Sequence, residues 1–252
     1  MLDAKRITGG LKILAVAAFV AFVPVFLITF NVRWVVNFPP LYTHGYDGYE
    51  NQIKYYLDIE RDDYLEAGRQ IREYFNDDSE FIVIEVPVGG VTVVNLFNER
   101  EILHMVDVKV LIHLVYRLSE ITGAYLLGFA VAGFALRKRE FLALLGRFAS
   151  MGGILTLALG AFVGLGSLVG FDRLFLFFHE VSFSNDLWQL DPRRDYLIAM
   201  FPQGFFFDAT ILIAGSVVVQ AILLAAVPML LLRRAGRAAK NRRSPQRADS
   251  RA

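Results

Sequence analysis

The chain contains no cysteine. That excludes a disulfide framework, a thiolate metal site and a cysteine acyl-enzyme, and it excludes lipidation of the protein itself at a cysteine. Histidine is scarce, at four in 252 residues, so imidazole chemistry is confined to His44, His104, His113 and His179. There is no HExxH pair and no other local spacing of metal ligands. The run Gly160-x3-Gly164-x-Gly166-Ser167-x2-Gly170 invites a serine nucleophile or a phosphate loop. No strand precedes it, however, no lysine follows, and it lies within an apolar stretch. Small residues at that spacing predict close helix packing instead.

What the chain has is apolar sequence, 55% of residues, with a mean hydropathy of +0.44. Such a composition suits several membrane spans, each needing roughly 20 apolar residues. Four stretches qualify: Leu11 to Val32, Leu118 to Leu136, Phe148 to Val169 with an apolar continuation to Phe178, and Ala209 to Leu232. The first has a basic flank, but its apolar core is too long for a cleaved signal and no small-x-small site follows, so it reads as a retained anchor.

The near-zero net charge of +1 hides an uneven distribution. The N-terminus, the loop 137–147 and the tail after Leu232 carry 15 of the 26 Lys and Arg but only Asp3, Glu140 and Asp249 of the 25 acids. The positive-inside rule makes those segments cytoplasmic. Regions 33–117 and 170–208 then face outward, and with them His104 and His179.

The expected architecture is an α-helical polytopic membrane protein with four transmembrane helices. It divides into a cytoplasmic N-terminus and anchor span (1–32), a small mixed α+β extracytoplasmic domain (33–98), a membrane domain with spans 2–4 (99–232) and a basic disordered cytoplasmic tail (233–252). In the outer domain, Tyr46 to Phe75 reads as one or two short amphipathic helices, with Ile53, Tyr56 and Leu57 on one stripe and Leu65, Ile71 and Phe75 on another. Phe81–Val86 and Val91–Leu96, separated by Pro87-Val-Gly-Gly90, predict a β-hairpin. Asn98 with Glu101 three residues later is a capping box that starts a long helix. Between spans 3 and 4, a phenylalanine-crowded loop belongs in the interface, and Asp191-Pro192 predicts the start of a short helix.

On the helix from Asn98, Arg100, His104 and Asp107 share a stripe. His179 ends a phenylalanine run, with Glu180 beside it and Asp172 two turns earlier on an extended third helix. Histidine titrates near neutral pH and serves as base or donor, so two of them at one interface mark the candidate catalytic site. His104 is otherwise a solvent-facing interfacial residue, and His179 a satisfied structural one. His44 lies in a loop and His113 on an apolar stretch that predicts packing. Asp191, Arg193, Arg194 and Asp195 are suited to clamp a headgroup or peptide terminus, or simply form a polar helix start.

Asn98-Glu-Arg-Glu-Ile-Leu-His-Met-Val-Asp107, Phe178-His-Glu180, Trp188-x-Leu-Asp-Pro192 and Phe201-Pro202 together resemble the bacterial lipoprotein intramolecular transacylases, called Lit. The resemblance covers most of the chain and omits the basic tail. It implies movement of the sn-2 acyl chain of a diacylglyceryl-modified lipoprotein onto that lipoprotein's own N-terminal cysteine amine, with His104 and His179 matching the family's functional histidines. An intramolecular transfer of this kind needs no enzyme nucleophile, which fits a chain without cysteine or a serine triad. The enzyme must hold the near-attack geometry, take a proton from the amine and steady the oxyanion. His179 is expected as base and His104 as partner, or the reverse. Asp107, Asp172, Glu180 and Arg100 are expected to orient them, and Trp188, Asp191 and Arg194 to bind substrate. The expected partners are the lipoprotein and membrane lipids; no cofactor, metal or nucleic acid is expected. Two other readings are a non-enzymatic membrane chaperone or sensor for lipid-anchored partners, and a metal-assisted lipid hydrolase.

Overall fold

The computed structural model describes residues 4–166 and 170–249. Seven helices and one hairpin follow in order among the described residues: α1 (Ala4–Val36), α2 (Pro39–Tyr56), α3 (Arg61–Tyr74), β1 (Val86–Val88), β2 (Val91–Val93), α4 (Glu99–Gly166), α5 (Phe171–Ser182), α6 (Tyr196–Met200) and α7 (Gln203–Asp249). Three of them contain stretches long and apolar enough to cross a membrane: Gly10–Val36, Glu99–Ala161 and Gln203–Ala235. Their outward side chains are apolar, among them Ile13, Val110, Ile121, Leu127, Ile211 and Val219, which is the surface that lipid covers and water does not.

The 68 residues of α4 would extend about 100 Å as one straight helix. They do not, because Lys138 leaves helical geometry at φ 49° and ψ −132°. The rings of Phe129 and Phe148 on either side of it are 6.2 Å apart, whereas a straight helix would separate them by about 28 Å. The chain therefore folds back at Lys138, inside the basic run Arg137-Lys-Arg139.

Two compact units emerge. The first comprises residues 1–28, 118–162 and 216–252. Its helices are stitched by Phe19 against Phe129 at 4.8 Å, Phe22 against Tyr125 at 5.1 Å, and the Tyr125 hydroxyl donating to the Ala15 carbonyl at 2.8 Å. Close approach is made at Gly153, where a Cβ would stand 2.7 Å from the Ala221 carbonyl oxygen. The glycine run expected to pack helices lies downstream. Gly160 has nothing within 4 Å of a Cβ position, and Ser167 falls outside the described residues. The backbone from residue 233 through Asp249 is helical, where a disordered tail was expected; its Ala, Arg, Lys and Gln residues are good helix formers.

The second unit comprises residues 29–117 and 163–215. Its core joins α2 and α3 (Tyr42, Tyr46, Ile53, Tyr64) with Ile82, Ile84, Met105, Met200, Phe201 and Phe205. The segment 33–98 thus shares its core with the start of α4 and with α6. Pro39 and Pro40 occupy the first helical positions of α2, where a missing N–H costs nothing. Of the expected stripes, Ile53, Leu57, Ile71 and Phe75 are buried. Lys109 of α4 reaches Asp77 at 2.9 Å and the Ser79 carbonyl at 2.7 Å, and His113 meets the Phe75 carbonyl at 3.0 Å, a packed role as expected.

The hairpin is shorter and later than predicted. Val86 pairs with Val93 and Val88 with Val91. The turn is Gly89-Gly90 alone, at φ 58° and 78°, the two positive values a type I′ turn needs. Residues 81–85 keep the alternating burial of a strand, with Ile82 and Ile84 inside and Phe81 and Val83 outside. The ladder does not extend to them: opposite, Asn95 leaves strand geometry at φ 58°, and the Leu96 N–H beyond it reaches the Ile84 carbonyl at 3.0 Å. On the other edge the Gln70 side chain of α3 meets the Glu85 backbone, accepting from its N–H at 2.9 Å and donating to its carbonyl at 3.0 Å.

Candidate active site

The predicted capping box forms in full. Glu101 accepts from the Asn98 N–H at 2.8 Å, and Asn98 Oδ1 accepts from the Glu101 N–H at 3.2 Å. This fixes the first turn of α4, and His104 follows one turn later. His179 sits on α5, which begins as a separate helix after Gly170 at φ 105°; the expected extension from the third span runs through residues 167–169, outside the described part.

The two histidines, 75 positions apart, meet. Their ring centroids are 6.3 Å apart with planes tilted by 32°, and they are 6% and 8% exposed. Aromatic rings enclose them: Phe183 lies 5.2 Å from His104, while Phe175 and Trp188 lie 4.3 Å and 5.0 Å from His179. Both rings open onto a cavity of about 400 Å³ walled by Leu176, Trp188, Leu197, Ile198, Phe201 and Phe206. Among the described residues that line it, Asp191 is the acidic one.

His179 Nδ1 is 2.7 Å from the Phe175 carbonyl. A carbonyl only accepts, so Nδ1 carries the proton and Nε2 of the neutral ring is left with a free lone pair. His179 lies beyond the three candidate spans, and burial among the aromatics holds its pKa below the ordinary histidine value, partly offset by the Phe175 bond. The ring is therefore neutral near pH 7. His104 Nδ1 is buried without a hydrogen-bond partner, a cost of about 1–3 kcal/mol for an ordinary buried polar atom.

Asp107 and Arg100 stand within electrostatic reach of His104, as the shared stripe suggested, and their hydrogen bonds run to the loop after α5. Asp107 accepts from the Asn185 side chain at 2.8 Å, and the Arg100 guanidinium donates to the Asp186 carbonyl. Both grip the loop that carries Trp188. Asp172 accepts from Gln203 at 2.9 Å, and Glu180 is exposed. The group on His179 Nδ1 is a backbone carbonyl and not one of these carboxylates. Arg194 projects into solvent, with its side chain 73% exposed. The helix predicted from Asp191 starts later, at Tyr196 with Asp195 as N-cap. Asp191 instead closes a turn, its carbonyl accepting from Arg194 and Asp195 at 3.0 Å and 2.8 Å. Pro192 fits that turn as well as it fits a helix.

Two features escaped the sequence reading. Asp195 is 3% exposed and accepts from Asn98 Nδ2 at 2.9 Å, and Glu101 also binds the Leu197 N–H at 2.5 Å. Nothing local signals a bond across 96 positions. The other is His44, whose Nε2 lies 3.0 Å from Asp208 Oδ2, the same oxygen that the Tyr49 hydroxyl reaches at 2.8 Å. An isolated acid after Phe205-Phe-Phe207 was its one sequence signal. Among the described residues no group of three or more His, Asp or Glu could hold a metal ion.

Comparison with known proteins gives the family and the fold. The family model for the lipoprotein intramolecular transacylase Lit matches residues 17–206. A solved structure of the membrane integral lipoprotein intramolecular transacylase Lit from Bacillus cereus superposes with a TM-score of 0.74 at 21% identity, over 90% of this chain and 98% of that one. A variant of that protein carrying a histidine-to-arginine substitution gives 0.71 at 20% identity, over 92% and 97%. An uncharacterized protein of Aquifex aeolicus (strain VF5) is 30% identical over 120 residues, which is 47% of this chain and 50% of that relative. The chain thus spans about half the length of that curated relative, while the family model covers well over half of the chain itself. This membrane protein belongs to the Lit family of lipoprotein intramolecular transacylases.

Proposed function

We propose that the protein transfers an acyl chain from the sn-2 ester of a diacylglyceryl lipoprotein to the α-amine of the same lipoprotein's N-terminal cysteine. The observation that carries this reading is the His104–His179 pair, two buried rings 6.3 Å apart on one apolar cavity. The amine nitrogen attacks the ester carbonyl, and His179 Nε2 takes its proton. The bond between the acyl carbon and the sn-2 oxygen breaks, the glyceryl oxygen leaves as an alkoxide, and the proton passes to it. The products are an amide and a free sn-2 hydroxyl, so atoms balance without water or a cofactor. His104 donates to the ester oxygen as negative charge develops there, a contribution made only in the transition state. The aromatic wall holds the acyl chain, and the Asp191 carboxylate attracts the amine in its protonated form before reaction.

The four-span topology completes the proposal. The fold-back at Lys138 splits α4 into two crossings, with both termini cytoplasmic and the cavity facing outward. A reporter fused after Leu232 reads cytoplasmic and one inserted at Gly90 reads external; the opposite pattern overturns the orientation.

Mass spectrometry of a lipoprotein N-terminus tests the chemistry. Cells with the protein yield N-acylated lyso-lipoprotein, whereas folded His104→Ala and His179→Ala variants yield the diacyl, free-amine form. Full activity in either variant refutes the pair. A chaperone or sensor would leave the N-terminus chemically unchanged in every case, and a metal-assisted hydrolase would release fatty acid and lose activity to strong chelators.

A further inference from the structure

Glu101 is fully buried, at 0% exposure, and lies one helical turn before His104. Its Oε2 accepts from the Asn98 N–H at 2.8 Å and its Oε1 from the Leu197 N–H at 2.5 Å. The Asn98 side chain donates in turn to Asp195 Oδ1 at 2.9 Å, and Asp195 Oδ2 accepts from the Asp191 N–H at 2.7 Å. Two buried carboxylates and one amide thus form a closed latch between the start of α4 and residues 191–197.

Helix capping alone does not call for this. A capping residue works at the surface, and sinking a carboxylate into an apolar core costs several kcal/mol unless its oxygens are bonded. The second carboxylate oxygen is spent on a backbone 96 positions away. That bond fixes the spacing between the turn that carries His104 and the wall formed by Leu197, Ile198 and Phe201. We propose that Glu101 is a positioning residue that locks this wall at the distance where His104 and His179 address one ester. The proposal rests on the transacylase reading of the cavity. Near-attack geometry is sensitive at the 1 Å scale, where a misplacement costs on the order of 100-fold, so a latch at this point governs turnover more than affinity.

Glu101→Gln tests it. The amide has the same shape but one acceptor oxygen, so whichever way it turns, one of the two backbone N–H groups faces another donor. At equal amounts of folded protein, N-acylation of a synthetic diacylglyceryl lipopeptide should fall at least tenfold in kcat with little change in KM. The acid limb of the pH–rate profile should not move, because His179 sets it. Asp195→Asn should reproduce the drop, and the double variant should lose less than the product of the two; should Glu101→Gln accumulate poorly, Asp195→Asn carries the test. An unchanged rate, a loss that tracks the folded fraction, or a fully multiplicative double variant overturns the proposal. A shifted acid limb also overturns it, since Glu101 would then be a proton carrier. Wild-type protein that transfers nothing sinks the transacylase reading and the latch together. Wild type that transfers while Glu101→Gln equals it sinks the latch alone.

Discussion

Replacing His179 by asparagine separates its two nitrogens. The asparagine amide takes the place of Nδ1–H and keeps the 2.7 Å bond to the Phe175 carbonyl, but it offers no base where Nε2 stood. A positioned general base contributes about 10²- to 10⁴-fold, or about 3–5 kcal/mol of barrier. The structural cost is smaller. The ring loses contact with Phe175, Phe183 and Trp188, roughly 0.5–1.5 kcal/mol per aromatic pair beyond area burial, and the hydrogen bond survives. His179→Asn should therefore remain folded while its acyl-transfer rate falls by at least 100-fold. Purified protein in lipid, mixed with a synthetic diacylglyceryl-cysteine peptide and followed by mass spectrometry of the N-acyl product, gives the rate; circular dichroism against temperature gives the fold. A folded variant within tenfold of wild type refutes His179 as the base.

Burial lowers the His179 pKa below 6.5, so the neutral base persists into mild acid and the acid limb of the pH–rate profile should lie below that value; a midpoint above 6.5 contradicts the buried ring. The same shift destabilises the fold as pH falls from the unfolded histidine value toward the folded one, and has no effect above it, which thermal unfolding across pH 4–8 checks. Trp188→Ala removes a ring 5.0 Å from His179 and one wall of the cavity, so KM for the lipopeptide should rise more than kcat falls; a loss confined to kcat excludes a substrate-seating role. Gly153→Leu places a side chain 2.7 Å from the Ala221 carbonyl, a backbone atom that cannot turn aside, and should cost about 1–3 kcal/mol or more; wild-type thermal stability in detergent would refute the close helix contact.

Local chemistry was legible in the sequence. Asn98 and Glu101 are three residues apart, so their capping box is written in one turn, and Gly89-Gly90 announces its own φ values. For His104 and His179 the sequence offered the expectation of one shared membrane face, from charge and apolar segments, but not their approach to 6.3 Å, which depends on how α5 packs against α4. Partners across the fold were not legible. Asp107 does stand within electrostatic reach of His104, but its hydrogen bond, like that of Asp172, is taken by an amide, Asn185 or Gln203, from a segment whose path no periodicity reveals. The hairpin ladder stops short of 81–85 where Asn95, on the opposing side, turns to φ 58°, a break that the β-branched run Val91-Thr-Val-Val94 does not announce. The start of α6 moved because Asp191 has two outlets for its acceptors, a helix or a turn, and the buried Asp195 decides between them.

The acceptor that sets the tautomer of His179 is the carbonyl four residues back in its own helix. Nothing outside α5 is needed to keep that proton in place. The loop carrying Trp188 and the wall around Leu197 are held by separate ties, to Arg100 and Asp107 in one case and to Glu101 in the other. In the proposed reaction, therefore, the tautomer of the base does not depend on how either wall is held. The proton address is a property of one helical turn.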